Sequence, residues 1–304
     1  MPCYSPLRGY ISKTVNPSGK RSIVFRRELG LPLPPQDIAC GQCIGCRLER
    51  SRQWAIRCVH EAQLHADNAF ITLTYEDKHL PPGGTLDRAA FPKFMKRLRR
   101  KLQPLKIRYF SCGEYGSKHG RPHYHACIFG YSFPDRRLWT TRNGVKLYRS
   151  DLLEQSWKLG MSSVGDVTFE SAAYVARYIV KKWLGPGASE HYQRVDTSTG
   201  ELFEIEPEYT TMSLKPAIGK QWLELYESDV YPSDEVILRG KKMRPPRYYN
   251  GLYEISNPSQ MEAIKAKRKR LAKSNPDNTA ERLYVREQVQ HLKLRQLKRV
   301  YEDG

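Results

Sequence analysis

His123-Tyr124-His125 sets two imidazoles two residues apart inside Gly120-Arg-Pro-His-Tyr-His-Ala-Cys-Ile-Phe-Gly130. A short apolar run closed by glycines predicts a strand. Side chains alternate along a strand, so both rings fall on one face, where neighbouring imidazoles can grip a divalent cation. Glu114 lies nine residues before the first histidine. Tyr174 and Tyr178 stand four apart on a predicted helix, so their phenols share one side. Together these residues specify one chemistry: metal-assisted attack by a tyrosine hydroxyl on a DNA phosphodiester. His123, His125 and Glu114 are the candidate metal ligands, and an N2O donor set leaves room for phosphate oxygens and water around Mg²⁺ or Mn²⁺. Tyr174 and Tyr178 are the candidate nucleophiles. Lys181, with Lys182 as its alternative, is placed to offset charge developing on the phosphate. The product is a 5′-phosphotyrosine link, which keeps the energy of the broken bond and makes the step reversible. A second phenol lets one tyrosine hold a 5′ end while the other attacks a regenerated site.

Each part has an ordinary alternative. A His-x-His pair can be a half-buried strand pair, Glu114 a solvated loop acid, and the tyrosines core packing at i, i+4 spacing. The cysteines carry a second possible chemistry. Cys40-Gly-Gln-Cys43-Ile-Gly-Cys46 is too tight for a disulfide framework and suits a zinc or iron–sulfur thiolate site. A structural Zn²⁺ needs a fourth ligand, for which Cys3, Cys58 and His60 are candidates. The alternative is reduced thiols packed as small hydrophobes.

The elements that must position these groups alternate between helix and strand. Helices are expected from Ile44 to about His65, from Asp87 to Gln103, from Asp151 to Lys158, and from a Ser171 cap to about Leu184 before Gly185-Pro186-Gly187. Strands are expected over 69–75, 106–114, 122–129 and 161–169. The short Gly116–Gly120 connection makes the glutamate and histidine strands antiparallel neighbours, which can bring Glu114 to the histidines. This pattern predicts an α+β fold, one sheet with helices packed against it. Residues 1–39, with Pro32-Leu-Pro-Pro35, are expected to be an irregular N-terminal arm. Residues 40–255 form the main domain, with a Cys-rich helical lead-in and an accessory segment over about 188–255. Residues 256–304 form a basic helical tail.

The chain has 304 residues, with 51 Lys+Arg against 32 Asp+Glu, a formal charge of +19. Such an excess calls for a polyanion, and nucleic acid held through its phosphates fits. Candidate DNA contacts are Arg47, Arg97, Arg121, Arg177, Arg247 and Tyr248. Lys241 to Tyr249 mixes cations with stackable rings, as single-stranded DNA requires. A membrane surface is the competing anion, but no apolar run approaches the roughly 20 residues that span a bilayer. The first residues lack the apolar core of a signal peptide. Seven cysteines, an odd number, indicate a reducing compartment. No Gly-x4-Gly-Lys-Ser/Thr loop is present, so ATP-driven unwinding is not visible.

Three blocks carry a family resemblance: Phe70-Ile-Thr-Leu-Thr-Tyr75, Gly120-Arg-Pro-His-Tyr-His-Ala126 and Tyr174-Val-Ala-Arg-Tyr-Ile-Val-Lys-Lys182. The chain resembles HUH-type endonucleases, specifically the replication-initiation proteins of small single-stranded-DNA phages, the microviruses, and most of all their gokushovirus branch. Similarity extends over about residues 38–255. The resemblance implies rolling-circle replication: nicking at an origin, a 3′ hydroxyl for the host polymerase, and later rejoining of the displaced strand. It implies an antiparallel sheet of about five strands flanked by helices, host helicase and DNA polymerase as partners, and action in the cytoplasm of a bacterial host. Rival readings are an HUH transposase or relaxase, and a non-catalytic, zinc-stabilised nucleic-acid-binding protein. Oligomeric state stays open.

Overall fold

The computed structural model describes residues 3–17, 19, 21–117, 119–142, 144–182, 187–196 and 199–296, without the side chains of residues 177–181. The chain forms two compact units: Met1–Glu49 with Lys269–Leu297, and a larger one whose continuous part is Arg50–Arg268. No described helix is long and apolar enough to cross a membrane.

The smaller unit corrects one expectation. Residues 1–39 are not an irregular arm. They hold strands β1 (Leu7–Val15), β2 (Arg21–Val24) and β3 (Gln36–Ile38), paired antiparallel in the order β2-β1-β3. Most of their side chains are exposed, so no apolar alternation marks them. Backbone pairing alone defines these strands, and the proline cluster falls between β2 and β3. Helix α1 (Ile44–Gln63) follows.

The larger unit is built on β4 (Asn68–Thr74), α2 (Ala90–Lys101), β5 (Arg108–Tyr115), β6 (Pro122–Phe129), β7 (Arg137–Arg142), β8 (Val145–Arg149), α3 (Asp151–Trp157), β9 (Ser162–Gly165) and α4 (Phe169–Lys181). A short helix α5 (Ala188–Tyr192) leads into the hairpin β10 (Gln193–Val195) and β11 (Leu202–Glu204), and β12 (Tyr209–Met212) returns to the main sheet. That sheet has seven strands, all antiparallel, in the order β12-β5-β6-β4-β9-β8-β7. The expectation of about five strands therefore falls short. Beyond the four strands read from the sequence, the sheet gains the β7–β8 hairpin at one edge and the four-residue β12 at the other. Edge strands need only main-chain partners on one side, so their sequences stay mixed and polar.

Strand alternation splits the core in two. On one face, Ile71, Leu73, Tyr124, Ala126 and Ile128 pack against Phe91, Phe94 and Leu98 of α2 and Leu153 and Trp157 of α3. On the other, Phe70, Phe110, Cys112, Cys127 and Phe129 pack with Cys58 of α1 and with Ala172, Val175 and Ala176 of α4. The result is the expected α+β architecture. A third core forms where Ile56 meets α6 (Lys220–Val230), the hairpin β13 (Val236–Leu238) and β14 (Lys241–Met243), α7 (Arg247–Ser256) and α8 (Pro258–Lys273). Helix α9 (Ala280–Arg295) completes the elements.

Candidate active site

The register of β4, β5 and β6 assembles the site. Glu114 pairs directly with His123 across β5–β6, and Cys112 pairs with His125. On the other side of β6, Thr72 stands opposite His125 and Thr74 opposite His123. Residues 112 and 114, 123 and 125, and 72 and 74 therefore share one face, the face covered by α4. The turn that sets this register closes with Gly116 N–H donating to Arg121 O at 2.9 Å. Gly120 takes φ +62° there, a left-handed backbone that favours glycine.

Helix α4 starts with a reciprocal cap. Ser171 Oγ accepts from Thr168 N–H at 2.8 Å, and Thr168 Oγ1 accepts from Ser171 N–H at 3.1 Å. The helix thus begins before Ser171, at Phe169, and the expected Ser171 cap is corrected to a Thr168–Ser171 box. Three residues further on, Tyr174 lies over the sheet and its hydroxyl donates to Glu114 Oε1 at 3.1 Å.

Both imidazoles turn Nε2 toward that same carboxylate oxygen, each at 3.2 Å. Their Nδ1 atoms face other partners. His123 Nδ1 is 3.1 Å from Arg121 O, and His125 Nδ1 is 2.9 Å from Thr72 Oγ1. A carbonyl can only accept, so His123 carries a hydrogen on Nδ1, which leaves Nε2 as the atom directed at Glu114 and at any metal held there. The His125 ring stacks on Phe70 at 5.6 Å and meets Tyr174 edge-on at 4.9 Å. The side chains of Glu114 and His125 are 2% and 0% exposed, and that of His123 is 12% exposed. Burial alone would raise the Glu114 carboxyl. Hydrogen bonds and charge from His123 and His125 outweigh it and hold the group well below the usual carboxylate range.

The ligand atoms of Glu114, His123 and His125 all lie within 4.8 Å of one another. Two imidazole nitrogens and one carboxylate oxygen, with both Nδ1 positions engaged, make a donor set that could hold a metal ion. Sequence inspection passed over Thr72 and the Arg121 carbonyl as site groups. Thr72 could have been found from its parity with Phe70 and Thr74; the carbonyl carries no sequence signal.

The other expected site residues fall as follows. The side chains of Arg177, Tyr178 and Lys181 lie outside the described residues. Lys182 is half-buried just past α4. Arg121 joins the site through its carbonyl, while its guanidinium bonds Asp77 at 2.7 Å and Tyr75 O at 2.9 Å. Arg97 is on the opposite face of the sheet, committed to Ser156 O at 2.7 Å and Trp157 O at 3.2 Å. Arg247 is exposed at the start of α7. Tyr248 beside it has one ring face covered by the Arg57 guanidinium at 4.1 Å. Arg47 is half-buried in the first turn of α1. Cys40, Cys43 and Cys46 gather with Cys3. The other two fourth-ligand candidates lie elsewhere: Cys58 is in the core under the sheet, and His60 stacks on Trp222 at 3.5 Å.

A family model described as "Replication-associated protein ORF2/G2P" matches residues 68–183, the stretch from β4 to the end of α4. Over 248 residues the chain is 37% identical to Replication-associated protein VP4 of Bdellovibrio phage phiMH2K, covering 77% of this chain and 74% of that protein. It is 30% identical to Replication-associated protein ORF2 of Spiroplasma virus 4, over 78% of this chain and 74% of that one. It is also 30% identical to Replication-associated protein ORF4 of Chlamydia phage 1, over 81% of this chain and 60% of that one. No solved structure matches. With most of its length aligned to such relatives, the chain belongs to the replication-associated proteins of gokushovirus-like microviruses.

Proposed function

We propose that this chain initiates replication of a single-stranded-DNA phage genome by nicking origin DNA with a tyrosine, and later rejoins the displaced strand. One observation carries the reading: a helix-borne phenol, Tyr174, is 3.1 Å from the carboxylate of a buried Glu–His–His cluster. Glu114, His123 and His125 would hold a Mg²⁺ or Mn²⁺, which supplies Lewis-acid polarisation of the phosphate and offsets charge on the departing oxygen. The chain's own groups do the rest. Glu114 orients the Tyr174 hydroxyl. The phenol loses its proton and Oη bonds to phosphorus. The P–O3′ bond breaks, and the 3′ oxygen takes up a proton and leaves as a hydroxyl. Tyr178 is proposed as the second nucleophile, with Lys181 or Lys182 offsetting phosphate charge. Family membership supports origin DNA as substrate, with host helicase and polymerase as the partners that use the 3′ end in the bacterial cytoplasm.

The test is covalent capture. Full-length protein incubated with labelled single-stranded origin DNA and Mn²⁺ is expected to give a denaturant-resistant adduct. His123→Ala, His125→Ala and the combined Tyr174→Phe, Tyr178→Phe variant are expected to lose it. Adduct formation by the double phenylalanine variant would remove tyrosine from the mechanism. A stronger loss in Tyr178→Phe than in Tyr174→Phe is expected if Lys181 serves Tyr178; equal losses would reject that pairing.

A further inference from the structure

We infer that Cys3, Cys40, Cys43 and Cys46 form a tetrathiolate zinc site that clips the start of the chain to the segment leading into α1. All four Sγ atoms lie within 4.8 Å of one another. Four sulfurs arranged tetrahedrally at a Zn–S distance of about 2.3 Å are separated by about 3.8 Å. Cys43 Sγ and Cys3 Sγ are 3.9 Å apart. That spacing is nearly twice the disulfide bond length of about 2.05 Å, so the thiols are set for a shared ion rather than for a bond. An iron–sulfur cluster distributes its cysteines over two or more irons, which spreads the four sulfurs more widely than one ion does.

Main-chain amides point at three of the sulfurs. Cys40 N–H points to Cys3 Sγ at 3.2 Å, and Tyr4 N–H to Cys43 Sγ at 3.3 Å. Cys40 Sγ receives two amides, from Gln42 at 3.4 Å and from Cys43 at 3.2 Å. These donors offset the net negative charge that four thiolates leave around a dication. The N-terminus of α1 adds to this. Cys43 immediately precedes the helix, its carbonyl accepts from Arg47 N–H at 3.0 Å, and Cys46 lies in the first turn. The small unit needs such a clip. Its three strands are mostly exposed, and Cys3 is 37 residues from Cys40. Closing a loop of that length lowers the entropy of the unfolded chain, which stabilises a unit with so few buried side chains.

This site is independent of the nicking chemistry, and the experiment keeps the two apart. Full-length protein, purified under reducing conditions without added metal, is analysed by elemental mass spectrometry. About one zinc per chain is expected. Cys43→Ser is expected to abolish zinc binding, while Cys58→Ala and His123→Ala retain it. Exchange of Co²⁺ for zinc is expected to give the strong thiolate charge-transfer and visible ligand-field bands of a tetrahedral tetrathiolate, weakened in Cys3→Ser. Zinc-free wild-type protein, iron in place of zinc, or zinc lost with His123→Ala would overturn the assignment. An unchanged cobalt spectrum in Cys3→Ser would overturn Cys3 as the fourth ligand.

Discussion

Thr72 has no reactive chemistry of its own, yet its hydroxyl settles which nitrogen of His125 faces Glu114. With Nδ1 held 2.9 Å from Thr72 Oγ1, Nε2 is the atom left toward the carboxylate oxygen. Removing that partner frees the ring to rotate or change tautomer, and such losses typically cost about 10–100-fold in metal affinity or activity. Thr72→Val keeps the volume and the strand preference. It is expected to raise the Mn²⁺ concentration for half-maximal adduct formation by about 10-fold or more. An unchanged Mn²⁺ dependence would mean that Thr72 does not position the ring. Much of this residue-scale geometry was legible in the sequence. Period-two alternation put the imidazoles on one face, and the short Gly116–Gly120 turn made Glu114 their neighbour. The long-range partners were harder to see. Nothing local singles out Cys3 over Cys58 or His60, because that choice depends on how the small sheet brings the chain back to Cys40.

The Thr168–Ser171 box is the element-scale counterpart, since it fixes where α4 begins and so which turn of the helix lies over Glu114. Thr168→Ala removes one side of the box and is expected to cost about 1 kcal/mol in urea unfolding. No loss of stability would show that the box does not secure this helix end. Helix α1 allows a sharper test through His60. Burial pushes this imidazole down to about 3, so it stays neutral in the folded chain, with Nδ1 3.0 Å from Tyr249 Oη. Unfolded, it titrates near its ordinary value of 6.5. Below that pH the unfolded chain takes up a proton that the native chain refuses. Stability is therefore complete above about pH 6.5 and falls as the pH drops toward the folded value. The contribution of this one group between pH 7 and pH 5 is about 2 kcal/mol of lost stability. His60→Gln is expected to flatten the pH dependence by that amount, and parallel curves for the two proteins would refute it. At this scale the sequence revealed the long helices and the central strands, whose apolar periods are strong. It did not reveal β1–β3, β7–β8 or β12. Edge strands such as Arg-Leu-Trp-Thr-Thr-Arg bury too little to show a period, and their pairing is a property of the main chain.

At the scale of the larger unit, the basic residues do not act as one surface, because the sheet divides them. The Glu114–His123–His125 cluster and α4 are on one face, while α2 covers the other with Lys93, Lys96 and Arg100 exposed. A helix, a sheet and a second helix separate these surfaces by more than the Debye length of about 8 Å at physiological salt. A short oligonucleotide occupying the site face should therefore be nearly blind to the α2 cations. A strand long enough to pass around the sheet should pair with them and release counterions. Combining Lys93→Gln, Lys96→Gln and Arg100→Gln removes three such contacts. For a long single strand, the slope of log affinity against log salt is then expected to become shallower by about 2, whereas a short one changes little. The measurement is best made in a His125→Ala background, where binding is not followed by cleavage. If the short strand lost affinity as steeply as the long one, DNA in the site would have to reach α2, and a strand confined to the α4 side of the sheet could not be the bound form.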